Sequence, residues 1–401
     1  MKAAILRGPG AFFVEELPEP ECPDGGLLVK VKSAAICSAD VNMISKGHKA
    51  LSYPRIPGHE ISGIISESRN PSFKEGSKIQ IAPGITCGKC RWCLAGMENH
   101  CENIKIIGFS MDGGFSEYIV IPSEGVGANI INLLPNSIGF QEASFTEPLA
   151  CCINGQEIIG IKPGDNVLII GAGPIGCLHA LLARFSGVNK VIIADFLGER
   201  LKLAAKTGAG CLIELTTDSP ELLKKKVLEE VGKNGVDAII IACSSEISSY
   251  GLADLLAPRG GICLFSSFGI EQTLFDRQAL NQLHYKEAFV AGAYGCTSIQ
   301  NSNALSLISS GKIKVNWLIT KQIKLEEIHK GIELVKNHKG LKIIIRLLRG
   351  QQNPSHLHTS DFCHHKPTFI ITKIIPLIKN FLVLAEKFYR EDKDVLYLGS
   401  M

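Results

Sequence analysis

The stretch TCGKCRWCLAGMENHC, residues 86–101, sets Cys87, Cys90, Cys93 and Cys101 in a C-x2-C-x2-C-x7-C spacing. Each C-x2-C turn lets two thiolates converge on one ion, and a returning fourth sulfur completes a tetrahedral shell. The bacterial ferredoxin run, which would hold an iron–sulfur cluster, has three residues before its last cysteine and a proline after it. Here seven residues intervene and Glu102 follows. Zinc is therefore the expected ion, with an iron–sulfur cluster as its rival. Four thiolates leave no coordination position open, so this loop is scaffold and the reacting groups lie elsewhere.

Three other segments offer such groups: Cys37 in AAICSADVN, the pair His59-Glu60 in IPGHEISG, and Glu147 in FTEPLACC. A lone cysteine is more often a small core residue, and a glutamate before proline can simply end a strand. Together they supply one sulfur, one nitrogen and one or two oxygens, the donors of a catalytic zinc that keeps a position for water or substrate. Asp40, three residues after Cys37, is placed to accept from His59 and fix its tautomer.

Gly171, Gly173 and Gly176 form G-x-G-x-x-G, with Pro174 and Ile175 between the last two, after the apolar run NVLII and before a helix expected from near Ile175. Asp195 ends the next apolar run, nineteen residues beyond the last glycine. Strand, glycine turn, helix and acidic residue in that order predict a dinucleotide site, with the pyrophosphate at the helix N-terminus. Asp195 would accept from the adenosine ribose hydroxyls and repel a 2′-phosphate. Phe196 follows it and the next basic residue, Arg200, stands a helical turn further on, within the expected nucleotide site but not adjacent to Asp195, which favours NAD over NADP.

These residues need a frame. At 401 residues, 45% hydrophobic and 20% charged, the chain can bury the cores of two domains. Residues 1–150 carry the strand-like pieces AAILRG, GLLVKVKSAAI, GHEISGIISES and SKIQIAPG between Pro and Gly turns, a β-rich, barrel-like composition. From about residue 165, short apolar runs (NVLIIGAG, KVIIADF, CLIEL, DAIIIAC, GICLFSSF) alternate with helical segments, SSYGLADLLAP among them. That alternation predicts an α/β, doubly wound parallel sheet over 151–288. Residues 289–348 are expected to return to the first domain. Residues 349–401 form a C-terminal extension of unknown role. It holds His356, His358, Cys363, His364 and His365 without a metal-ligand spacing, then an amphipathic pattern from Leu377.

The combination of GHE, the four-cysteine loop, EPLACC and GAGPIG, in that order, resembles the zinc-dependent medium-chain dehydrogenase/reductase family, in particular its sorbitol/iditol-type polyol and threonine dehydrogenase branch. The resemblance spans residues 1 to about 348. It implies a GroES-like catalytic domain, a Rossmann domain inserted before that domain's last segment, and an active site between them. It also implies that Cys37 and His59 ligate the catalytic zinc. Glu60 and Glu147 would share its remaining place, directly or through water, and the loop cysteines would hold a second, structural zinc.

The sequence departs from the family pattern where a hydroxyl two residues after the zinc cysteine and a histidine five after it usually relay a proton. Ala39 and Asn42 stand there, beside Ser38. The expected function is NAD-linked, zinc-assisted oxidation of a secondary alcohol (a polyol, sugar derivative or amino alcohol) to a ketone. The alternative is a nucleotide-binding regulatory or structural protein of the same fold, kept open by Ala39 and Asn42. A zinc-free quinone reductase would need neither cysteine set.

A net charge of +3 with scattered Lys and Arg gives no nucleic-acid footprint. The apolar run of the extension, interrupted by Lys373, Pro376 and Lys379, falls short of a membrane span. MKAAILRGPG lacks the apolar core of a secretory signal. A cytoplasmic protein with reduced thiols, which favours metal over disulfides, is expected. A homodimer or homotetramer acting on a small-molecule alcohol completes the expectation.

Overall fold

The apolar runs that alternate with helices become strands Asn166–Ile170, Lys190–Asp195, Cys211–Glu214, Val236–Ile241, Leu256–Leu264 and Phe289–Gly292. All five pairings among them are parallel. Numbered by chain position, the sheet order is 3-2-1-4-5-6, the doubly wound Rossmann arrangement with its switch point between Asn166–Ile170 and Val236–Ile241. Both faces are covered. Val167, Ile169, Val191 and Ile193 feed one apolar cluster, while Leu168, Ile170, Ile192 and Ala194 feed another. Period-two alternation with both faces apolar is why these strands read as unbroken hydrophobic runs.

The computed structural model describes residues 1–215, 220–243, 251–266 and 275–347, all within one compact unit, Met1–Arg349. The readings made for the extension fall outside the described residues. One internal element differs from expectation. In SSYGLADLLAP, whose first three residues lie outside the described ones, the helix covers Leu252–Leu255 and a strand begins at Leu256. Pairing with Val236–Ile241 overrides the local helix propensity, and a register shift between Val236 and Ala238 accommodates the extra residues around Pro258-Arg259 within the strand, where Arg259 has φ +63°.

The other half is built on Leu27–Ile36, which pairs antiparallel with Glu60–Ser68, Tyr118–Ile121 and Lys342–Arg346. Lys78–Ile81 and Ile131–Leu133 extend the sheet on one side, Ile319–Lys324 on the other. Residues 319–346 thus complete a sheet begun near residue 27. The cysteine loop hangs between Gly84–Ile85 and Lys105–Ile106, whose pairing closes its neck. Helix Thr146–Ile158 leads into the Rossmann half and packs against Pro174–Phe185 and Ser298–Ser309. Among the described residues no helix is long and apolar enough to cross a membrane.

Candidate active site

Cys37 follows strand Leu27–Ile36 and stands in extended conformation at the N-terminus of helix Ser38–Lys46. Its backbone N–H donates to Asp40 Oδ2 at 2.9 Å. Asp40 is fully buried, and its Oδ1 lies 3.3 Å from His59 Nδ1. One carboxylate therefore fixes the Cys37 backbone and faces one ring nitrogen of His59, leaving Nε2 to ligate. The ring packs against Phe109 with centroids 5.5 Å apart. Burial opposes a charge on His59, but Asp40, with Cys37, raises its pKa well above the ordinary histidine value.

Glu60 begins the next strand, pointing its carboxylate inward. Oε1 accepts from Lys342 Nζ at 2.6 Å, a pair with both side chains under 5% exposed. Burial alone would lower the Lys342 pKa, yet Glu60 and Cys37 hold it above the ordinary lysine value. Lys342 carries no sequence signal of its role, because its partner lies 282 residues away.

Cys37, His59 and Glu60 bring their donor atoms within 4.8 Å of one another. Glu60 Oε2 is buried and without a partner, and neither His59 Nδ1 nor Asp40 Oδ1 has an aligned hydrogen bond. A sulfur, a nitrogen and an orphaned carboxylate oxygen converging in this way fit a zinc ion. Glu147, in the first turn of Thr146–Ile158, lines the same cavity but groups instead with Cys151 and Cys296. Burial raises its pKa, opposed by His59 and reinforced by Glu60.

Two cavities meet at this cluster. One, about 310 Å³, holds His59, Glu60 and Glu147; the other, about 480 Å³, runs along the glycine turn and Asp195. Cys37, Ser38, Ile175 and Ala242 line both. Gly171 has φ +110°, and a Cβ on Gly176 would fall 1.8 Å from the Gly171 carbonyl oxygen, so the turn admits neither as another residue. Gly173 leaves the approach above helix Pro174–Phe185 open, with Arg200 alongside. Asp195 accepts from Ala172 N–H at 2.6 Å and Leu197 N–H at 2.8 Å, so it braces the turn as well as facing the cavity. Arg200, counted with the nucleotide site from the sequence, stands at this cavity. It lines the cavity and reaches the Gly340 carbonyl at 3.4 Å, and His338 lines the same region. Burial lowers the Arg200 pKa and Asp195 partly restores it.

Residues 23–129 match the alcohol dehydrogenase GroES-like domain and residues 174–310 the zinc-binding dehydrogenase domain. D-xylulose reductase A of Aspergillus oryzae is 31% identical over 350 residues, covering 85% of this chain and 95% of that protein. The chain belongs to the zinc-dependent medium-chain dehydrogenase/reductase family. Within that family, the L-threonine 3-dehydrogenase of Bacillus subtilis is 30% identical, with 85% and 97% covered. A Sinorhizobium meliloti protein classed as a zinc-binding dehydrogenase and crystallised with NADP superposes with a TM-score of 0.77 at 27% identity, covering 86% of this chain and 98% of the other. These relatives identify a zinc alcohol dehydrogenase of the polyol and threonine dehydrogenase branch.

In this family member the four loop thiols come within 4.8 Å of one another, with Cys90 and Cys93 sulfurs 3.5 Å apart. Tetrahedral zinc with Zn–S near 2.3 Å sets sulfurs about 3.8 Å apart, so the donors need little movement. Backbone amides, that of Lys89 foremost, draw the Cys87 thiol down to about 6, while burial pushes Cys93 up to about 12. Purified protein is expected to carry close to two zinc ions per chain, and Cys90→Ser close to one, with a lowered melting temperature. Full zinc content and normal melting in Cys90→Ser, read by elemental analysis and calorimetry, would overturn the scaffold role. Of the relay positions, Ala39 lines the substrate cavity without a titratable group, and neighbouring Ser38 does face both cavities.

Proposed function

We propose that the chain oxidises a secondary alcohol (a polyol, sugar derivative or amino alcohol) to a ketone with NAD, using one catalytic and one structural zinc. The observation that most supports this is the convergence of Cys37, His59 and Glu60 where the nucleotide and substrate cavities meet. Cys37, His59 and Glu60 would hold the catalytic ion, with Glu147 close by; Cys87, Cys90, Cys93 and Cys101 would hold the other. Held there, zinc would supply a Lewis acid that lowers the pKa of the substrate hydroxyl, and the nicotinamide would supply the hydride acceptor. Asp40 keeps His59 in one tautomer. Phe109 and Tyr294 wall the cavity, and Glu147 accepts the hydroxyl proton. The names of the relatives, a xylulose reductase and a threonine 3-dehydrogenase, agree with a carbon bearing a secondary hydroxyl.

A panel of secondary alcohols and polyols with NAD, followed by NADH absorbance, is expected to give turnover on at least one member; a nucleotide-binding protein without catalysis would give none. On that substrate, NAD is expected to outperform NADP. Asp195→Ala should shrink the ratio of their kcat/KM values by about tenfold or more, roughly 1.4 kcal/mol. Its removal takes away the charge that repels a 2′-phosphate and leaves Arg200 beside it. Because Asp195 also braces the turn, the ratio rather than NAD affinity is the deciding quantity, and an unchanged ratio would sink the nucleotide assignment.

A further inference from the structure

The cavity that Cys37 lines also holds a second donor set, in which Glu147 is joined by two thiols that the dehydrogenase chemistry does not use. Cys151 lies one helical turn after Glu147, so both side chains share a face, and the thiol donates to Glu147 Oε1 at 3.2 Å. Cys296 comes from the segment before helix Ser298–Ser309, and its sulfur completes a triad whose donor atoms all lie within 4.8 Å. That segment is fixed on both sides. Asn154 Nδ2 donates to the Gly295 carbonyl at 3.0 Å, Asn99 Nδ2 to the Tyr294 carbonyl at 2.8 Å, and Thr297 caps the helix. Asn301 Nδ2 donates to Cys296 Sγ at 3.1 Å and so fixes the sulfur's position.

We propose that Glu147, Cys151 and Cys296 form a further cation site in the substrate cavity, separate from the Cys37-His59-Glu60 centre, that takes a soft divalent ion such as zinc in excess or cadmium. Two sulfurs and one carboxylate oxygen are a zinc-type donor set with a position left open, and here it faces the cavity. Zinc–sulfur near 2.3 Å and zinc–oxygen near 2.1 Å give a sulfur-to-oxygen edge of about 3.6 Å. The observed 3.2 Å requires a shift of a few tenths of an ångström. Among the described residues no Lys or Arg hydrogen-bonds to any of the three groups. On binding, the ion displaces the two thiol protons to solvent and holds Glu147 away from the substrate hydroxyl, so it inhibits. The site does not depend on which alcohol is the substrate.

Protein carrying its two resident zinc ions is titrated with cadmium(II), and bound cadmium, retained zinc and the ultraviolet thiolate-to-cadmium absorption are followed together. The expected result is one additional cadmium per chain with no zinc released. Cadmium-edge X-ray absorption should then find two sulfurs and at least one oxygen around it. The double variant Cys151→Ser/Cys296→Ser, with its resident zinc intact, should take up none. Cadmium that enters only in exchange for zinc, a shell of four sulfurs, or equal uptake by the variant would each overturn the site. Should the variant fail to fold, stoichiometry and coordination in the unmodified protein decide alone. Neither readout involves turnover, so a failed alcohol screen leaves the result standing.

Discussion

Glu147→Gln is expected to keep both zinc ions and yet lose turnover by about a hundredfold or more, the usual contribution of a positioned general base. The usual relay residues are replaced by Ala39 and Asn42, so the proton leaving the substrate hydroxyl must pass to another group in the cavity. Glu147 lines that cavity, and among the described residues its carboxylate is bonded to the Cys151 thiol and to no cation. Glu60 is the other carboxylate there, but Lys342 occupies one of its oxygens. Gln preserves volume and removes only the proton-accepting charge. Cys37→Ser and His59→Ala, by contrast, should lose the catalytic zinc itself. Zinc content and turnover measured on the same preparations separate the two outcomes. Near-normal turnover in zinc-loaded Glu147→Gln would eliminate Glu147 and leave Ser38, which faces both cavities, or Glu60 as the acceptor.

Lys342→Met should destabilise the protein by about 3–5 kcal/mol, the range found when one partner of a buried ion pair is removed and the other is left uncompensated. Met nearly matches the lysine stem in volume, so the loss reports on Glu60 rather than on a cavity. Lys342→Met/Glu60→Gln should recover much of the difference, because the stranded charge is gone. Urea unfolding of both variants beside the unmodified protein measures this. A loss under about 1 kcal/mol in the single variant would mean that the pair is hydrated or that zinc alone compensates Glu60.

What could be read in advance follows from how far apart the cooperating residues lie. The cysteine loop and the glycine turn are local: four thiols within fifteen residues and three glycines within six carry their geometry in their spacing. The joining of Cys37 to His59 was legible only as a set of compatible donors, and the structure puts Asp40 between them, bonded to the Cys37 backbone and 3.3 Å from His59 Nδ1. Lys342 carries no signal in LKIIIR, since nothing along the chain announces a partner at Glu60. Cys151 and Cys296 were hidden for the same reason. Helix propensity misread LADLLAP because a central parallel strand is specified by its neighbours, here Val236–Ile241, more than by its own residues. Arg200 was placed at the nucleotide site from the sequence, but its contact with the turn at residues 337–340, some 140 residues away, was not legible there.

The strand Lys342–Arg346 also dictates an order of events during synthesis. The Rossmann sheet is contiguous, its six strands falling between residues 166 and 292, so it can assemble as that stretch leaves the ribosome. The half that began first must finish last. Leu27–Ile36 lacks one of its neighbours, and Glu60 lacks its counter-charge, until some three hundred further residues have been made. During that interval the N-terminal strands present an unpaired edge and an uncompensated carboxylate, the part of the nascent chain most in need of protection from aggregation.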